Sequence, residues 1–263
     1  MNSLRSSGSF FEIPHAMVFL LMTLNIGVYA LCLNQSGTVA ISPEVLFRNG
    51  AMYSSAIERR EYWRLITYGF VHADLLHLAT NMLCLVLWGG HLEKRIGSFY
   101  FAVVYLAALI GGGIVSDLTH SGAYLTVGAS GAVSGILGAL LCLWLLGRVD
   151  LAANFFVVNI GLNVALALSF SRVDWGGHLG GSAAGLISCA ALDLLEKVNA
   201  HIFRCKFPEF VKMNGLIVLG ALMVYFVGTK AISPLLGQRH GCRWRHASLR
   251  VLHSSRLSIC CCR

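Results

Sequence analysis

Hydrophobic positions fall in seven long runs, roughly Ala16–Leu33, Leu75–Leu92, Phe99–Val115, Ala132–Leu146, Leu151–Phe170, Leu179–Leu195 and Leu216–Ala231. Polar, charged or glycine-rich stretches separate them. Continuous apolar runs of this length predict membrane helices, not amphipathic surface helices. Several fall short of the ~20 residues that an upright span needs. Seven in succession nonetheless predict an all-α polytopic membrane protein. No stretch between them is long enough for a separate soluble domain. The pattern divides the chain into an N-terminal cytoplasmic segment over 1–15, a six-helix core over 16–198, a linker with a seventh transmembrane helix over 199–237, and a tail over 238–263.

Composition agrees: mean hydropathy is +0.70 and only 12% of the 263 residues are charged. The first run is too long for a signal-peptide core and lacks a small-residue cleavage site, so it reads as a retained helix. Between the first two runs lies a loop, Asn34 to Asp74. Val45-Leu46-Phe47 and Tyr62-Trp63-Arg64-Leu65-Ile66, with Tyr68, alternate there with Arg48, Glu58, Arg59, Arg60 and Glu61. Trp, Tyr and Arg suit the headgroup layer, so this loop is expected to lie in the membrane interface. Lys94 and Arg95 suit a helix C-terminus facing the cytoplasm.

With the N-terminus inside, inside segments carry eight basic residues: Arg5, Lys94, Arg95, Arg148, Lys197, Arg204, Lys206 and Lys212. Outside loops carry five: Arg48, Arg59, Arg60, Arg64 and Arg172. The count favours this orientation. The segment from Lys230 onward opposes it with seven: Lys230, Arg239, Arg243, Arg245, Arg250, Arg256 and Arg263. The tail combines these charges with Cys242 and Cys260-Cys261-Cys262 and reads as a basic disordered segment. Cys32, Cys84, Cys142, Cys189 and Cys205 lie in or beside apolar runs and form no disulfide framework. A bacterial inner membrane, with compact loops and no transit peptide, is the expected location.

Candidate chemistry sits where two apolar runs open. The fourth opens with Gly128-Ala129-Ser130-Gly131-Ala132-Val133-Ser134-Gly135-Ile136-Leu137-Gly138. Ser130, Ser134 and Gly138 share one helix face with Gly131 and Gly135 beside them, which lets a neighbouring helix approach closely. A serine at the first turn also has free backbone N–H groups nearby that could hold an oxyanion. Ser130 is thus either a packing residue or a nucleophile. The sixth run opens with Asp174-Trp175-Gly176-Gly177-His178-Leu179-Gly180-Gly181 and continues to Gly185. His178 shares a face with Gly181 and Gly185, and a histidine at the mouth of a span is a functional candidate. If the two glycine faces pack together, Ser130 and His178 can meet. Asp174 reads as an N-cap, with an orienting role toward His178 as the alternative. His77 and Asn81, four apart on the second run, point one way, either bridging helices or aiming donors at developing negative charge. His72 lies out of helical phase with His77 and reads as making a loop or headgroup hydrogen bond. No His-Glu-x-x-His occurs, so no metal is expected.

Five pieces in order, Trp63-Arg64, His77-x-x-x-Asn81, Glu93-Lys94-Arg95-Ile96-Gly97, Gly128-Ala129-Ser130-Gly131 and His178-x-x-Gly181-x-x-x-Gly185, resemble the rhomboid intramembrane serine proteases. The resemblance runs from about Glu61 to Leu195. It implies a six-helix rhomboid-like core with an added seventh helix. Ser130 would be the nucleophile and His178 the general base. His77 and Asn81 would complete an oxyanion hole with the Ser130 N–H. Substrates would be single-span or multi-span membrane proteins cut in or near their spans. Lipid bilayer is the other implied partner; no cofactor and no nucleic acid are expected. One departure stands out. Well-known members carry an aromatic one turn after the serine, supporting the histidine; here that position is Ser134. The rival reading is an inactive relative that binds client transmembrane helices. A transporter or channel would call for internal repeats and intramembrane carboxylates. Asp193, near a helix end, is the clear candidate for the latter.

Overall fold

The computed structural model describes residues 15–120, 124–169 and 174–202. The first six apolar runs lie on helices. The seventh run, the N-terminal segment before residue 15 and the basic tail lie outside the described residues.

Helix α1 is Ala16–Ser36. Its first-turn N–H groups would otherwise lack partners. The Glu93 carboxylate accepts from Met17 N at 2.9 Å and Val18 N at 3.0 Å. Glu93 therefore caps α1 from 75 and 76 residues away. At its other end α1 stops at Gly37, whose φ of 71° lets its N–H reach Leu33 O.

The long first loop is folded. It holds α2 (Pro43–Arg48), a two-residue strand β1 (Met52–Tyr53), α3 (Ser54–Glu58), α4 (Arg64–Thr67) and a 3-10 turn, Tyr68–Phe70. Ser42 caps α2, with Pro43 in the first turn where a missing N–H costs nothing. Composition places Arg64 at the headgroups, but it points into the loop, 5% exposed. Its guanidinium donates to Glu61 at 2.7 Å, Phe47 O at 2.8 Å and Ala51 O at 2.7 Å. It also lies over the Phe47 and Trp63 rings. Three charge-assisted bonds and two ring faces outweigh one headgroup contact. Burial raises the Glu61 carboxyl, but Arg64 and Arg59 outweigh it and hold it below the usual carboxylate value.

Helix α5 (Leu75–Cys84) starts at Asp74, which accepts from His77 N at 2.8 Å. A π-turn at Leu85–Gly89 leads into α6 (Gly90–Thr119). Gly97 breaks α6 with φ 80° and ψ 157°, so the second and third apolar runs are separate helical segments. The break falls two residues beyond Lys94-Arg95, where the basic residues had placed the helix end. Strand β2 (Leu125–Thr126) pairs antiparallel with β1, Met52 opposite Thr126. Then come α7 (Ser130–Leu145), α8 (Ala153–Ser169) and α9 (Trp175–Ile202).

Helix α7 is buried almost throughout, from Gly131 to Leu140, between α6 and α9. Its 16 residues rise about 24 Å, less than the ~30 Å hydrocarbon core. The Asp193 carboxylate pairs with Arg148 at 2.9 Å and Lys197 at 2.6 Å.

Candidate active site

Ser130 is the first residue of α7, preceded by Ala129 as the cap residue. Its backbone N–H is one of the first-turn donors without an intrahelical partner. The approach to Ser130 is tightly fixed. Gly128 N donates to Tyr68 O at 3.0 Å. Tyr68 is fully enclosed, and its hydroxyl donates to Leu109 O at 2.7 Å. Ala129 N points at His72 Nε2, 3.5 Å away. The strand pairing of β1 with β2 anchors the same segment two residues earlier.

His178 lies in the first turn of α9, where its N–H donates to Asp174 O at 3.1 Å. The Asp174 carboxylate accepts from Gly177 N at 2.7 Å, so Asp174 caps the helix as its position predicts. The two helices then meet through glycine. A Cβ on Gly181 would stand 2.0 Å from Gly131 O, and one on Gly185 2.1 Å from Gly135 O. Gly177 O lies 3.3 Å from where a Gly131 Cβ would be. Gly131 follows Ser130 and Gly177 precedes His178, so the neighbours of both side chains touch. Gly131, Gly135, Gly181 and Gly185 thus form the helix contact that their four-residue spacing predicts. A Gly135 Cβ would stand 2.1 Å from the Ala108 Cβ of α6 and 2.8 Å from Gly181 O of α9.

His77 arrives from α5. Its ring lies across Gly128, where a Cβ would be 2.5 Å from both Cε1 and Nε2. Gly128 also has φ 105°, a backbone conformation that glycine adopts without steric cost. The same glycine therefore turns the chain into α7 and leaves room for the imidazole two residues before Ser130. Asn81 is buried, with one amide N–H on His77 O at 2.8 Å. Its second amide proton remains for another acceptor.

His72 is the residue that local spacing undervalues. It faces no headgroup: it is fully enclosed, 5.1 Å from the His77 ring centroid. Burial first, then the nearby His77, pushes it well below the usual imidazole range. It therefore stays neutral, with Nε2 free to accept from Ala129 N. Nothing in its local sequence signals a partner so far along the chain.

At Ser134, where relatives were expected to carry an aromatic, the structure has a mostly apolar pocket. Ser134 and Leu137 of α7, Ile160 of α8, and Trp175, His178, Leu179 and Ser182 of α9 line it. His178 forms part of its wall. Among the described residues no group of three or more His, Cys, Asp or Glu side chains could hold a metal ion.

The rhomboid domain family model matches residues 59–195, which span every residue of the candidate site. The chain belongs to the rhomboid family. Its relatives include rhomboid protease GluP of Bacillus subtilis, 36% identical over 67% of this chain and 34% of the relative. RHOMBOID-like protein 6, mitochondrial, of Arabidopsis thaliana is 30% identical over 78% of this chain and 72% of the relative. Rhomboid-like protease 3 of Toxoplasma gondii is 36% identical over 52% of this chain and 54% of the relative. The chain thus spans about a third of the Bacillus relative's length. The chain is a multi-pass integral membrane protein of a family that includes intramembrane serine proteases. Within its rhomboid domain, α7 and α9 pack backbone to backbone at Gly131 and Gly181 and at Gly135 and Gly185.

Proposed function

We propose that this chain is an intramembrane serine endopeptidase that cuts transmembrane proteins in or near their spans with a Ser130–His178 dyad. The observation that carries the reading is the glycine contact between α7 and α9, which sets the two helix mouths side by side. The rhomboid domain match and the relatives named as proteases support it.

Neutral His178 takes the Ser130 hydroxyl proton as Oγ attacks the substrate carbonyl carbon. The carbonyl π electrons move to oxygen and form a tetrahedral oxyanion. The Ser130 N–H at the start of α7, the second Asn81 amide proton and His77 are the donors available to it. Collapse of that intermediate expels the amine, which takes the proton back from His178 and leaves an acyl-serine. Water then repeats the sequence, losing its proton to His178, and releases the acid. The short α7 and the polar groups around its mouth favour a water-filled, protein-lined cavity, where polar groups at depth are tolerated. A substrate helix must unwind locally to present its carbonyl, which favours small or helix-breaking residues near the cut.

In this reading the site opens to the outside of a bacterial inner membrane, an orientation that the basic-residue count from Arg5 to Lys212 supports. The test is incubation of purified protein with a panel of single-span substrates. Wild type cleaves. Ser130→Ala and His178→Ala each abolish cleavage while melting like wild type. Full activity in either well-folded variant removes the dyad, and a wild type that cleaves no substrate leaves the inactive client-binding reading.

A further inference from the structure

Outside the dyad, a line of polar contacts joins the segment before Ser130 to the segment before His178. Thr126, four residues before Ser130, shares a hydrogen bond with Ser116 of α6, Oγ1 to Oγ 2.9 Å. Ser116 O is 3.0 Å from Nδ1 of His120, the residue that ends α6. The same Nδ1 stands 3.7 Å from Asp174 Oδ1. Asp174 Oδ1 holds Gly177 N, and Asp174 O holds His178 N. The other carboxylate oxygen, Oδ2, is buried and has no hydrogen-bond partner.

A buried carboxylate with a bare oxygen is costly unless positive charge or donors stand near it. The dipole of α9 supplies part of that compensation. Among the described residues, the titratable groups around Asp174 are His120 just after α6, Tyr68 from the first loop and His178 one turn along α9. The Tyr68 hydroxyl is committed to Leu109 O. The His178 ring belongs to the site. Among the described side chains His120 is the one whose ring stands beside the carboxylate, at Oδ1 and not at the bare Oδ2, with the same Nδ1 also lying 3.0 Å from Ser116 O. Its ring is itself fixed, stacked on Tyr124 at 3.8 Å and 11°. The surrounding backbone leaves little slack: a Cβ on Gly176 would stand 2.0 Å from Thr119 Oγ1, and one on Gly177 2.6 Å from Asp174 Oδ2.

We propose that His120 is a positioning residue for His178, acting through the Asp174 cap. By the same contacts it ties the first turn of α9 to the strand that leads into Ser130. The role rests on the reading of His178 as general base. It gives this chain a second means of fixing the histidine where Ser134 offers no ring. His120 touches no reacting atom. It fixes the carboxylate, the carboxylate fixes the first turn, and the turn sets where the imidazole stands.

Two measurements on the full chain in lipid nanodiscs test this. The first, hydrogen exchange by mass spectrometry, needs no turnover. In His120→Ala, peptides covering Asp174–Gly181 should exchange about tenfold faster than in wild type, because loosening a cap frees the first-turn amides. Peptides from α1 should not change. The second is kinetic. His120→Ala should lower kcat about tenfold, less than the hundredfold that a full ångström of misplacement can cost. KM should be unchanged, and His120→Gln, which keeps a donor, should recover most of the loss. In an Asp174→Asn background, where the cap survives without the charge, His120→Ala should add little. Unchanged exchange in His120→Ala overturns the link to Asp174. Faster exchange with unchanged kcat reduces His120 to a structural role and overturns the positioning role. A wild type that cleaves no substrate overturns the protease reading instead, and the exchange comparison then still decides the link.

Discussion

The two halves of the candidate site are held by different kinds of contact. Ser130 and His178 depend on backbone against backbone, with Gly131 O and Gly135 O filling the places where Gly181 and Gly185 would carry side chains. His77 and Asn81 stand on a short helix steadied by single polar contacts: the Asp74 cap, the Asn81 amide on His77 O, and a ring lying across Gly128. A backbone contact has no rotamer through which to yield, so any added atom must separate the helices. Polar props fail one at a time. The dyad half should therefore respond to added volume as a unit, and the oxyanion half should lose function in steps while staying folded.

The largest expected effect comes from adding volume to the glycine contact. Gly181→Leu places a side chain where the backbone of α7 runs, with Gly131 O 2.0 Å from the Cβ position. Overpacking typically costs 1–3 kcal/mol, so about 3 kcal/mol or more is expected where backbone is the obstacle. Cleavage and thermal stability in detergent should fall together. A variant that melts like wild type and still cleaves would show that the helices are not locked on these residues.

The second effect separates the two halves directly. Asn81→Ala should lower kcat by roughly a hundredfold, the usual result of losing one oxyanion donor. The melting temperature should fall only slightly, since the lost bond is a local one to His77 O. The loss belongs in kcat because the donor matters most once charge develops. A large stability loss with unchanged kcat would make Asn81 a packing residue and erase the contrast.

The smallest effect lies farther out, in the first loop. Glu61 has its folded pKa held below the ordinary 4.5 by Arg64 and Arg59, against an opposing contribution from burial. The sign follows from linkage. The stabilisation is present above the unfolded value and fades as pH falls through the lower folded value. Melting temperature should therefore drop on the acid side of 4.5 more in wild type than in Glu61→Gln. The carboxylate is part-exposed, which limits the difference to about 1 kcal/mol. Equal acid sensitivity in both proteins would remove the pair from the loop's stability.

What was legible in the sequence was local. Glycines at 131, 135, 181 and 185 announce a helix contact because four-residue spacing is the geometry of one helix face. His77 and Asn81 share a face for the same reason, and Asp174 caps α9 because Asp is favoured before a first turn. Glu93, Tyr68, His72 and His120 were illegible because their partners lie far along the chain. Glu93 binds Val18 at a separation of 75 residues, and His72 faces Ala129 at 57. No periodicity encodes such a pairing. Arg64 failed in a related way. Its composition suits a headgroup, but the carbonyls of Phe47 and Ala51 that claim it exist only once the loop has folded.

The cap on α1 has a consequence in time. Met17 N and the Glu93 oxygen that accepts its proton are 76 residues apart. At about 5–20 residues per second, a ribosome needs roughly 4–15 s to make that stretch. Throughout that interval α1 exists without its acceptor, its opening amides served by water or by headgroups. The cap of this helix is thus withheld until the second apolar run has been made. Glu93 acts as a clasp that reaches back to a helix made long before it.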